Sequence, residues 1–152
     1  MGCWGITALE SDDGLDAVGC IWHNLSKDGQ LDLGEMLEPL KKDQWNAPCD
    51  VKLGCSHTSP MALAEIIVRY LDGNPGSLDY DDEWAATDNK FRSITSFTAS
   101  RSSLQELRDY LADTLKYARI RAEQQIKAGE LPGGWFDPKD WDRWQKHMEG
   151  LI

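Results

Sequence analysis

From Ser103 to Ala128, apolar residues recur every three or four positions: Leu104, Leu107, Leu111, Leu115, Ala118, Ala122 and Ile126. That period belongs to an amphipathic helix. At about 1.5 Å per residue the run makes a rod of about 39 Å, long enough to support a whole domain. Ser103-x-x-Glu106 reads as a capping box at its start, and Gly129 as its stop. A chain of 152 residues has room for one core. The predicted fold class is therefore mainly α: a single domain spanning 1–152, with five or six helices around the long helix 103–128. At most a minor extended segment is expected near 91–99, where Phe91, Ile94, Thr95 and Phe97 favour a strand.

Residues 11–25 read as the first helix, with Ser11 or Asp12 as cap and Leu15, Val18, Ile21, Trp22 and Leu25 as its stripe. Gly14 and Gly19 weaken that pattern. A second helix is expected from about Glu35 to Trp45, with Pro39 in its first turn or breaking it. Ser59-Pro60 reads as N-cap and N1 of a third helix that ends before Gly73. Residues 78–90 are ambiguous. Asp137-Pro138 reads as the start of a last helix whose face is Trp141, Trp144, Met148 and Leu151, packed on the long helix.

Charge narrows the function. Lys plus Arg number 16 against 26 Asp plus Glu, a formal net charge of -10. That excess repels nucleic acid and anionic membrane. It is concentrated in residues 1–90, with 6 basic and 17 acidic residues (net -11), while residues 91–152 carry 10 and 9 (net +1). The densest cluster is Asp79, Asp81, Asp82 and Glu83, a candidate contact for a basic partner. No run is long and apolar enough for a bilayer span and no secretory leader is visible, so the expected location is the cytoplasm.

Catalytic signatures are lacking: there is no G-x-S-x-G, H-E-x-x-H, Walker loop or dinucleotide fingerprint. Cys49, Cys55 and His57 resemble half a zinc site, with no second close pair to complete it. Cys55 and His57 could form a thiol–imidazole pair, but no orienting acid or oxyanion donor is marked. The stretch from Asn24 to Glu35 fits the twelve-residue EF-hand pattern. Its calcium ligands would be Asn24, Ser26, Asp28, Gln30 (through its carbonyl), Asp32 and Glu35, with Gly29 at the turn and Leu31 at the apolar position. Asn at the first position, Pro39 shortly after Glu35 and the lack of a second loop count against it, and a plain inter-helix turn explains the same residues.

The opening Met1-Gly2-Cys3-Trp4-Gly5, followed by Glu10-Ser11-Asp12-Asp13-Gly14-Leu15-Asp16, resembles a bacterial family of unknown function numbered 4259. Its members open Met-Gly-x-Trp-Gly, then carry a Phe where Leu9 stands here and commonly Ala where Gly14 stands. The resemblance covers about the first 20 residues and extends weakly to the helix from Ser59 to Leu71. It implies a small, mostly helical bacterial protein and supplies no established activity and no catalytic residues. Some small acidic proteins of this kind are suspected of being immunity proteins encoded beside toxins. Physically, Gly2 and Gly5 would let the backbone turn around a buried Trp4.

These readings converge on a non-catalytic acidic protein that binds a basic protein partner, as an immunity protein does. Two alternatives remain: a calcium-binding protein using residues 24–35, and a small enzyme using Cys55 and His57. No cofactor is expected apart from calcium, and neither nucleic acid nor membrane is expected as a partner.

Overall fold

The computed structural model describes residues 5–24, 30–44, 46–48, 50–53, 58–73, 94–131 and 138–152. Among these residues the elements run as follows: a 3-10 turn (Ala8–Glu10), α1 (Asp12–Asn24), β1 (Gln30–Asp32), α2 (Leu33–Lys42), a 3-10 turn (Val51–Leu53), α3 (Ser59–Leu71), β2 (Ser96–Thr98), α4 (Arg101–Lys127), a 3-10 turn (Pro138–Asp140) and α5 (Trp141–Leu151). The architecture is mainly α, with one core.

Ser11 starts α1. Its hydroxyl accepts the Gly14 N–H at 3.1 Å and donates to the Ala8 carbonyl at 2.8 Å, fixing the entering chain against the first turn. Asp12 and Asp13 follow, where the helix dipole favours anions. A Cβ on Gly14 would lie 1.7 Å from the Ala8 carbonyl oxygen, so only glycine admits this approach.

Four helix starts differ from the sequence reading. The second helix begins at Leu33 and runs through Pro39 to Lys42. Asp32 caps it by accepting the Glu35 N–H at 3.0 Å, and the proline is held inside, its missing donor costing one helical hydrogen bond. The third helix has Thr58 at its N-cap, without a side-chain capping bond. The Ser59 hydroxyl is instead a donor to the Asn46 carbonyl at 2.6 Å, which pins the preceding loop. The long helix is capped by Ser100, whose hydroxyl accepts the Ser103 N–H at 3.1 Å, so Ser103 and Glu106 form no capping box. The last helix starts at Trp141 after a 3-10 turn, not at Asp137-Pro138; Asp137 lies outside the described residues.

The end of α4 follows the sequence. Gly129 adopts φ 79°, the Glu130 N–H reaches the Gln125 carbonyl at 2.8 Å, and the Gly129 N–H reaches that of Ile126 at 3.0 Å. This double bond pattern ends a helix on a left-handed glycine. The apolar stripe of α4 is buried from Leu107 to Leu115 and again at Ala122, whereas Leu104 and Ile126 at its two ends are exposed.

α3 has the fullest burial. Every residue from Ser59 to Ile67 is buried, and α1, α2, α4 and α5 all pack on it. A helix apolar all round belongs inside. Full burial of side chains such as Leu63 and Ile66 stabilises by about 1.5–3 kcal/mol each. β1 and β2 pair in parallel, Gln30 with Ser96, Leu31 with Phe97 and Asp32 with Thr98, and this carries Leu31 into the core. The segment near 91–99 thus contains a strand at 96–98. α5 buries Trp144 and Met148 against α4 and α3, with Trp141 stacked on Trp144 at 5.5 Å.

One charged group sits inside this apolar body. Glu65 of α3 is buried, and its Oε1 accepts the Ala8 N–H at 2.9 Å. Its Oε2 accepts the Leu9 N–H at 3.3 Å, and His147 Nε2 of α5 lies 2.6 Å from Oε1. A buried carboxylate persists only when so satisfied.

Glu65→Ala leaves two backbone donors without an acceptor and is expected to lower unfolding free energy by about 2–4 kcal/mol in urea denaturation, with Glu65→Gln losing less. Gly14→Ala is expected to cost about 1–3 kcal/mol, whereas Gly19→Ala, where a new Cβ meets nothing within 4 Å, is expected to stabilise by about 0.5–1 kcal/mol. A Gly14→Ala protein as stable as the parent would refute the close packing of α1 on the 3-10 turn.

Candidate functional site: an acidic face between α2 and α4

Carboxylates gather where α2 crosses the first half of α4. Along α4, Glu106, Asp109, Tyr110 and Asp113 stand at spacings of three, four and seven, which places them on one face. They line a cleft of about 560 Å³ with Asp50 and Lys41, floored by Leu37, Pro48, Pro60 and Leu107. A second groove of about 580 Å³ adjoins it, sharing Leu37 and Glu106 and bringing in Asp32, Glu35 and Glu38. The two grooves together carry seven carboxylates and one ammonium.

Lys41 is that ammonium. It pairs with Glu106 across the helices and with Glu38 at 3.3 Å along α2. The Glu106 carboxylate, more than Glu38, holds the Lys41 ammonium above its ordinary range. Asp109 accepts from the Gln105 amide at 2.6 Å, and Asp50 accepts the Lys52 N–H at 2.9 Å. These bonds fix the two carboxylates in place. The result is a fixed anionic surface beside an apolar floor, with the Tyr110 ring among its lining residues. Chemically it suits an incoming lysine or arginine: an alkyl stem on Leu37 and the prolines, a cationic head among the acids.

The sequence-predicted sites fare unequally. Asp79, Asp81, Asp82 and Glu83 lie outside the described residues, as do Cys49, Cys55 and His57. Of the EF-hand ligands, Ser26 and Asp28 also lie outside. Asn24 ends α1 and donates its amide to the Cys20 carbonyl at 2.8 Å. Gln30 and Asp32 bound β1. Asp32 uses one oxygen on the Glu35 N–H and the other on the Thr98 hydroxyl at 3.0 Å; these bonds, the backbone one first, hold its carboxyl below the usual range. Glu35 is exposed on α2. Among the described residues no group of three His, Cys, Asp or Glu side chains is placed to hold a metal ion.

Other reactive groups have structural employment. His147 is bonded to Glu65. Burial, with Asp43 adding to it, pushes the Cys20 thiol up, which suppresses the nucleophilic thiolate. Sequence reasoning missed the acids of α4 because residues 91–152 sum to near neutrality. The available signal was the spacing of Glu106, Asp109 and Asp113, which sorts one sign onto one side of the rod.

Among the described residues no helix is long and apolar enough to cross a membrane. No family model matches the chain, nor does any curated protein or solved structure.

Proposed function

We propose that this chain is a non-catalytic protein that binds a basic protein partner on the acidic face between α2 and α4, in the manner of an immunity protein neutralising a basic toxin. The observation that carries the reading is the sorting of charge: seven carboxylates and one lysine line two adjoining grooves with an apolar floor. Such a surface steers a cationic partner and then packs it. Asp79, Asp81, Asp82 and Glu83 would extend the same attraction.

The test is to purify the tagged chain with its partner from its own cells at low salt, identify that partner and reconstitute the complex. A basic partner is expected, with affinity falling as salt rises. Affinity should fall about tenfold or more in an Asp109→Lys/Asp113→Lys protein whose helicity is unchanged. Reversal of Asp81 and Asp82 reports whether that segment shares the contact. A neutral or acidic partner, or undiminished binding by the Asp109/Asp113 variant, removes the proposal.

The loop 24–35 supports a second reading as a calcium site. α1 ends at Asn24 and α2 starts at Leu33, so the loop's first and tenth positions close and open helices as an EF-hand requires. Calorimetric titration is then expected to show binding between about 10 µM and 1 mM calcium, lost in Asp28→Ala. No heat at millimolar calcium, or equal binding by Asp28→Ala, ends this reading.

A further inference from the structure

On the other side of α4 the sign of the surface reverses. A groove of about 590 Å³ runs between α3 and α4 and is closed by Leu151 and Ile152. Ala64, Ile67, Leu107 and Leu111 form its buried floor, and Leu71 and Leu104, 65% and 47% exposed, form its lips. The charged side chains lining it, among the described residues, are Arg101 and Arg108. They stand two turns apart on α4 with Leu104 between them, about 10 Å along the axis. Neither forms an ion pair among the described residues. Two guanidiniums without an ion pair thus stand beside the exposed leucines of one groove, in a chain of net charge -10.

We infer that this groove is a binding site for a free, single-chain carboxylate amphiphile of the fatty-acid type. The apolar tail would lie on the floor between α3 and α4, and the carboxylate would meet an arginine at the rim through a charge-assisted, two-pronged hydrogen bond. The groove's volume falls within the usual range for small-molecule sites. The lining from Arg101 to Leu111 spans about 15 Å of α4, room for an extended medium-length alkyl chain. Complementary charge selects the head group: a carboxylate is attracted here and repelled by the acidic face on the opposite side of the helix.

The experiment titrates the full chain with dodecanoate below its micelle threshold, with dodecyltrimethylammonium, which has the same tail and the opposite head, and with vesicles of anionic phospholipid. Heat and amide chemical shifts are read. Dodecanoate is expected to bind with a Kd of about 10–100 µM, with shifts centred on Val68, Leu71 and Leu104. Arg101→Gln/Arg108→Gln, two exposed positions whose change should leave helicity intact, is expected to weaken it about tenfold. No binding of dodecanoate up to about 1 mM, equal binding of the cationic amphiphile, undiminished binding by the double variant, or binding to vesicles alone would each overturn the inference.

Discussion

The Glu65 carboxylate is the junction on which the rest of the fold hangs. It lies in the middle of the most buried helix, where an unsatisfied charge would cost several kcal/mol. Its oxygens are met by two N–H groups from the turn before α1 and by His147 of the last helix, 57 and 82 residues away in sequence for the Ala8 and His147 contacts. One side chain thus locks the start and the end of the described chain onto the centre. Hydrophobic burial supplies most of the stabilisation but has no direction. The Glu65 bonds give direction, since they admit one placement of the 3-10 turn and one rotation of α5.

How much of this was legible in the residues differs by element. The long helix, its glycine stop and the buried face of α5 could be read because each follows from local periodicity or a local conformational need. The start of α3 could not: Ser59 looks like a cap, but its hydroxyl is engaged by the Asn46 carbonyl, a contact made through tertiary packing. Glu65 was equally hidden, because a glutamate among Ala64, Ile66 and Ile67 looks like the solvent side of an amphipathic pattern. Pro39 stays inside α2 because Leu33, Met36, Leu37 and Leu40 bury around it and offset one lost hydrogen bond. The loop between α1 and α2 could be read as a turn, but the engagement of Asp32 by the Glu35 N–H and the Thr98 hydroxyl could not, since the second of these is made across 66 residues.

The acidic face shows how a charge sum can mislead. Near-neutrality of residues 91–152 conceals a helix that sorts its ions around its circumference. Glu106, Asp109 and Asp113 face α2, Arg101 and Arg108 face the α3 groove, and Leu107, Leu111 and Leu115 face the core between them. Both candidate surfaces are therefore sides of one rigid rod. A partner seated on one side and an amphiphile on the other would each meet a surface whose sign is set by helical phase, not by overall composition.

The two short strands carry a kinetic consequence. Asp32 and Thr98 are hydrogen-bonded across 66 residues of chain, and between them lie α2 and α3. A three-residue parallel ladder returns too little free energy to close so large a loop unaided. It must therefore zip late, after the intervening helices have docked and shortened the search. Leu31 is buried in the core beside Phe97, so closing the ladder also closes the interior at this point.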